Sequence, residues 1–229
     1  ELHGTFNNDI TVRASCTEQN PCWVRGESQS NMPVIPAYLT VLDSSYVFVE
    51  NIDFNGGTAG ALGVTGSSSN ISIRNNRLIN RAQPSGAAAG ISLIPSNGMT
   101  VQNVVVYSNH FESLGDWTVQ EDLDFHGVVP SLWGRDSTAE LKNLWILENY
   151  CTLLSGDCVQ INAGNWAPDS YKYLHHVYVG KNVSYKNRQT GVGVKQASDV
   201  IISQNVSSGS YGNAGNAGGG IMFQYPKHN

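Results

Sequence analysis

The chain holds 229 residues, with 24 Gly, 14% charged residues and a formal net charge of −5. That length suits a single domain with a sizeable buried core. The mild acidity argues against a nucleic-acid partner, because nucleic acids select basic surfaces. No apolar run reaches the length of a membrane span, which argues against a membrane partner.

Asn is about as abundant as Gly. Both are turn formers, and no long window rich in Ala, Leu, Glu and Lys is present, so an all-β chain with many turns is expected. The opening residues, ELHGTF, already read as the inside of a strand-and-turn unit, and the closing IMFQYPKHN stops just after a strand. Residues 1–229 are therefore expected to form one domain that is part of a longer, processed chain. Cys16 and Cys22 form one local pair, and Cys151 and Cys158 another. Neither pair has zinc-ligand spacing. Two short-loop disulfides in a secreted or cell-surface protein are the reading, with four small buried residues as the alternative. Asn70, Asn182 and Asn205 each begin an Asn-X-Ser acceptor pattern for glycosylation.

In chain order, a six-residue pattern recurs: apolar, any, apolar, any, any, Asn. An imperfect first copy has Val47 and Val49, with Asn51 one place early. Complete copies follow at Ile71, Ile73, Asn76; Val104, Val106, Asn109; Leu144, Ile146, Asn149; Val177, Val179, Asn182; and Val200, Ile202, Asn205. They are spaced 24, 33, 40, 33 and 23 residues apart. The alternation is the period-two signature of a strand with one buried face. Asn at a fixed corner tolerates left-handed backbone, and stacked Asn side chains can bond one another in a ladder. A second strand follows each corner, at Ile91-Ser92-Leu93, Val128-Val129-Pro130, Val159-Gln160-Ile161, Val192-Gly193-Val194 and Ile221-Met222-Phe223. A small residue precedes each: Gly90, Gly127, Cys158, Gly191 or Gly220. Two or three short strands per unit of 23–40 residues, with uneven insertions, predict a right-handed parallel β-helix, a solenoid with long loop insertions.

Stacking the coils in this register makes outward columns. One holds Gln160, Gly193 and Met222. The next holds Ser131, Asn162, Lys195 and Gln224. His126, Asp157 and Thr190 stand at the turn before the strand. A basic run comprises Lys172, Lys181, Lys186, Arg188 and Lys195, and an acidic run comprises Glu112, Asp116, Glu121, Asp122 and Asp124. An acidic loop beside a basic coil can bind a cation and an anionic chain together. Carboxylates suit calcium, and Lys and Arg neutralise uronate carboxylates. The plain alternative is a pair of solvated charged faces. Trp117, Trp133 and Trp166 fall in insertions, where they stack on sugar rings or cover the core. His175-His176 opens a strand, where backbone hydrogen bonding is the plain role.

The segments TVRASCTEQNPCWVRGES and HHVYVGKNVSYKNRQTGVGVKQASDVIISQN resemble early and later coils of the pectate-lyase-like superfamily of β-helix proteins, and the resemblance extends over essentially the whole chain. It implies a carbohydrate-active protein of the alginate lyase, chondroitinase B-like or polygalacturonase-like kind. The polygalacturonase pattern is paired aspartates, Gly-His-Gly, then Arg-any-Lys. This chain departs from it, since Ser155-Gly156-Asp157-Cys158 has one Asp, Phe125-His126-Gly127 precedes it, and no Arg-any-Lys follows. Gly191-Val192-Gly193-Val194-Lys195-Gln196 is similar to the strand that carries a basic residue in the lyases.

The expectation is thus an extracellular polysaccharide lyase acting on an acidic glycan by β-elimination. Lys195 is the expected base, with Arg188 and His126 assisting. Gln160, Asn162, Gln196, Gln224, Lys186 and Trp166 are expected to bind substrate, and Asp122, Asp124 and Asp157 to hold Ca2+. The competing expectation is a non-catalytic, glycan-binding, adhesin-like or structural β-helix whose open ends support end-to-end self-assembly. No nucleotide loop, haem motif or nucleophile elbow is present.

Overall fold

The computed structural model describes residues 1–83, 85–116, 124–164, 172–212 and 218–224. These residues form a right-handed parallel β-helix of three sheets whose paired strands all run parallel.

The first sheet stacks eight strands: β1 (Ile10–Val12), β3 (Leu39–Leu42), β6 (Leu62–Gly66), β9 (Ala88–Pro95), β12 (Phe125–Pro130), β15 (Val159–Asn162), β18 (Val192–Lys195) and β21 (Ile221–Gln224). The second stacks seven: β2 (Cys22–Arg25), β4 (Ser45–Glu50), β7 (Ser68–Arg74), β10 (Thr100–Tyr107), β13 (Glu140–Leu147), β16 (Leu174–Gly180) and β19 (Ser198–Ser203). The third stacks six: β5 (Asp53–Asn55), β8 (Arg77–Arg81), β11 (His110–Leu114), β14 (Tyr150–Thr152), β17 (Val183–Tyr185) and β20 (Val206–Ser208). A coil visits each sheet once, as β6, β7 and β8 do before the chain rises to β9.

The apolar positions of the repeat stack in register. Ile71 pairs with Val104, Val104 with Leu144, Leu144 with Val177 and Val177 with Val200. Val159, Val192 and Ile221 stack in the same way on the first sheet. These columns fill the interior, where Ile71, Val104, Leu144 and Val177 are essentially buried, while Ile221 in the last described coil is exposed. Each such side chain contributes about 1.5–3 kcal/mol by leaving water.

The corner asparagines form a continuous ladder. Nδ2 of Asn76 donates to Oδ1 of Asn109 at 3.0 Å, Asn109 to Asn149 at 3.0 Å, Asn149 to Asn182 at 2.9 Å and Asn182 to Asn205 at 2.9 Å. Each Oδ1 also accepts the backbone N–H of the residue one coil below, as from Asn149 to Asn182 at 3.0 Å. The imperfect first copy has a structural reason. Ile52 occupies the ladder position and donates its backbone N–H to Asn76, while Asn51 takes the left-handed turn before it (φ 55°). Ser108, Glu148, Lys181 and Gln204 adopt that same conformation in later coils. Two of the glycosylation patterns therefore fall on ladder residues, and the buried Asn182 amide is fully engaged in the stack.

Both cysteine pairs are disulfides. The small residues, with Gly90 and Gly127 inside β9 and β12 and Cys158, Gly191 and Gly220 just before β15, β18 and β21, mark a narrow corner. A Cβ on Gly127 would lie 2.5 Å from the Cys158 carbonyl oxygen, and one on Gly191 2.7 Å from that of Gly220.

Candidate functional site

A groove of about 840 Å³ runs along the outer face of the first sheet. Tyr38 and Ser92 line one part of it, with the Tyr38 hydroxyl 2.9 Å from Ser92 Oγ. His126, Gln160, Asn162, Lys195 and Trp133 line another. Alternation along β15 and β18 buries Val159, Ile161, Val192 and Val194 inside and turns Gln160, Asn162 and Lys195 outward. Register then sets Asn162 beside Ser131 and Lys195 beside Asn162. A smaller cavity of about 230 Å³ lies within the last coils, where Asn182, Asn205, Val192 and Ile221 line it, and it presents no titratable side chain.

His126, inside β12, and Asp157 and Thr190, at the turns before β15 and β18, stack from three successive coils, so the expected turn position holds for the last two and not for His126. The backbone N–H of Asp157 donates to His126 Nδ1 at 2.9 Å, so the neutral imidazole carries its proton on Nε2. Nε2 faces the Gln160 amide at 3.2 Å and Asp124 Oδ2 at 3.9 Å. Burial pushes the His126 pKa down. Asp157 and Asp124 act against that shift, while Lys195 and Arg188 add to it, and the ring is uncharged at neutral pH. Gly156 makes room for it, since a Cβ there would lie 2.5 Å from Nδ1.

Asp157 is fully buried. Its Oδ1 accepts from the Thr190 backbone N–H at 2.8 Å and from the Thr190 hydroxyl, and its Oδ2 accepts from Gln160 Nε2 at 2.9 Å. Asp124 Oδ1 accepts from Arg188 Nη2 at 2.7 Å and from Gln189 Nε2. The result is a buried, hydrogen-bonded network that borders the groove.

The structure brings together His126, Asp124, Asp157, Arg188, Gln160, Asn162 and Lys195. Arg188 is only 2% exposed, so it reaches the groove through Asp124 and not directly. Lys186 stands elsewhere, partly exposed after β17, with its ammonium 5.0 Å from the Tyr185 ring centroid. Gln196 lies in the left-handed turn after β18 (φ 54°), and Gln224 ends β21 with its amide 3.4 Å from Met222 Sδ. Neither lines the groove. Trp166 and Asp122 lie outside the described residues, as does Trp117.

The two described carboxylates do not fit a calcium ion. Calcium takes six to eight oxygen ligands, yet both oxygens of Asp157 and one of Asp124 already accept hydrogen bonds, and the Arg188 guanidinium would repel a cation at Asp124. Sequence reasoning missed Tyr38 and Arg81. Arg81 is buried near the Tyr38 end, donating to the carbonyls of Ala59, Gly60 and Pro36, and desolvation lowers its pKa to about 10. Ser92 was legible as the outward position of β9, whereas Tyr38 precedes a strand that carries no copy of the repeat.

No protein-family model and no curated protein sequence matches the chain. Solved structures resemble it, three of them as follows. PfbA, a surface adhesin of Streptococcus pneumoniae, has 10% identity and a TM-score of 0.49 over 91% of this chain and 60% of its own. An alginate lyase from a Paenibacillus strain has 12% identity and a TM-score of 0.33 over 96% and 88%. The catalytic domain of an α-1,3-glucanase, in complex with tetrasaccharides, has 12% identity and a TM-score of 0.26 over 95% and 62%. The chain thus spans about 60% of the adhesin's length. At these levels the likenesses carry no argument about function.

Proposed function

We propose that this is an extracellular polysaccharide-active β-helix whose groove binds a uronate-containing glycan and cleaves it by β-elimination. The observation that carries the reading is the convergence of Lys195, the uncharged His126, the Gln160 and Asn162 amides and the half-exposed Trp133 on one open groove. The disulfides fit an oxidising compartment.

Elimination begins when a base takes the proton beside the uronate carboxylate. Lys195 is assigned that role. The enolate that forms needs hydrogen-bond donors already in place. His126 Nε2–H and the side-chain amide of Asn162 supply them, while the Gln160 amide is held on Asp157. The electron pair then expels the glycosidic oxygen, which takes the proton from the Lys195 ammonium formed in the first step, and the new sugar end carries a double bond. Arg188 is a positioning residue that fixes Asp124 beside His126. No step runs through calcium.

A second reading, glycan binding without cleavage, is favoured by a specific feature. Arg188 and Asp157 are sealed off, which leaves Lys195 as the cation on the groove wall among the described residues. One ammonium suffices to hold a carboxylate but is a sparse set for both holding and deprotonating.

Ultraviolet absorbance of the unsaturated product, measured on alginate, pectate and chondroitin with and without chelator, separates the readings. The lyase reading expects a rise on one substrate, insensitive to chelator, that Lys195→Ala abolishes with the melting temperature unchanged. Binding in affinity electrophoresis with no product on any polyuronate supports the second reading. Neither binding nor product overturns both.

A further inference from the structure

On a different sheet, the outer face of β16 and β19 gathers His175, His176 and Asp199, and we propose that these three side chains form a surface site for a divalent transition-metal ion of the Zn2+ or Cu2+ class. The two histidines are adjacent in sequence. In a regular strand their side chains would point to opposite faces. Here His176 is left-handed (φ 55°), an irregularity of the kind that re-aims a side chain, and both rings converge. Their planes meet at 69° with centroids 4.6 Å apart, and their Nδ1 atoms approach to 2.5 Å. His176 Nε2 lies 3.9 Å from Asp199 Oδ2, and one donor atom from each of the three residues falls within 4.8 Å of the others. Ligands on a tetrahedral zinc at about 2.0–2.1 Å stand roughly 3.4 Å apart, so small ring rotations admit an ion.

Two further observations point to a ligand. First, a metal-binding histidine characteristically donates its other ring N–H to a carboxylate, which fixes the tautomer and orients the ring. His175 Nε2 lies 3.2 Å from Glu140 Oε1, which leaves the Nδ1 lone pair facing the cluster. Second, His176 and Asp199 interrupt another ladder. In preceding coils the same left-handed column holds Asn70, Asn103 and Asn143, with Nδ2 of Asn103 donating to Asn70 at 3.1 Å and that of Asn143 to Asn103 at 3.0 Å. The self-pairing amides give way to an imidazole and a carboxylate at the coils where His175 also arrives. Three N/O ligands at the surface leave the remaining coordination positions to water or to an external ligand. Imidazole and carboxylate together favour zinc or copper over calcium or magnesium.

The test is calorimetric titration of tag-free, chelator-stripped protein with ZnCl2 near neutral pH. The expected result is one saturable equivalent per chain. His176→Ala and Asp199→Ala should each abolish it while leaving the metal-free melting temperature unchanged, because both side chains are exposed. Glu140→Gln should weaken it about tenfold, the lower bound for loss of an orienting partner. Cu2+ in place of Zn2+ should give an electron paramagnetic resonance spectrum with nitrogen hyperfine structure that diminishes in His176→Ala. No saturable binding to the unaltered protein, or undiminished binding in both the His176 and Asp199 variants, overturns the proposal.

Discussion

The backbone amide of Asp157, by donating to His126 Nδ1, sets the tautomer of a buried imidazole whose pKa burial has pushed down. That shift carries a linked effect on stability. The unfolded chain protonates this histidine near its ordinary value of about 6.5, above the folded value, so between the two the unfolded state binds more protons. The contribution is therefore complete above about pH 6.5 and is lost as pH falls toward the folded pKa. Urea unfolding between pH 7.5 and 5.5 should show stability falling with pH in the parent protein and a flatter profile in His126→Asn. Identical slopes would mean that His126 titrates in both states alike.

At the scale of the element, the ladder and the alternating strand are separable contributions. Alternation packs the interior, while the asparagines satisfy backbone groups at a corner where strand pairing is interrupted. Asn149 receives and makes hydrogen bonds on both sides of its coil, including its Nδ2 bond to the Val106 carbonyl at 3.0 Å. Asn149→Ala strands buried donors and acceptors, each worth about 1–3 kcal/mol. A loss of roughly 2–6 kcal/mol in urea denaturation is expected from two such groups, larger than for the partly exposed terminal rung Asn205→Ala. Equal losses at the two positions would show that the ladder does not depend on burial. The left-handed residue before each rung explains why Asn51 could stand one place early. Asn suits either position, and only the stacked coil distinguishes rung from turn.

At the scale of the whole molecule, stacking scatters the charge runs that look continuous in sequence. Of the basic run, Lys181 pairs with Glu148 on the surface, Lys186 sits against Tyr185, Arg188 turns inward to Asp124, and Lys195 reaches the groove. The Cys151–Cys158 bridge ties β14 to the corner entering β15, directly beneath the site. Closing a loop of that size is worth about 2.5 kcal/mol in the unfolded-chain entropy account. The double variant Cys151→Ala, Cys158→Ala should lose about that much in denaturant unfolding. A loss near zero would place the stability of this corner in the stacked backbone alone.

What the sequence by itself determined was the solenoid. Period-two alternation and a recurring corner Asn are local signals, and because every coil repeats them, the register of one coil predicts the next. The columns Gln160–Gly193–Met222 and Asn162–Lys195–Gln224, and the corner stack His126–Asp157–Thr190, were legible for that reason. Only the tertiary structure decided which charges meet. Asp124 and Arg188, 64 positions apart, form an ion pair because insertions of unequal length return to the same wall of the helix. It also decided that the adjacent histidines of β16 share a face, at the left-handed position that Asn70, Asn103 and Asn143 hold in earlier coils. Strand register is set residue by residue along the chain, whereas burial, tautomer and charge pairing depend on what the neighbouring coils bring.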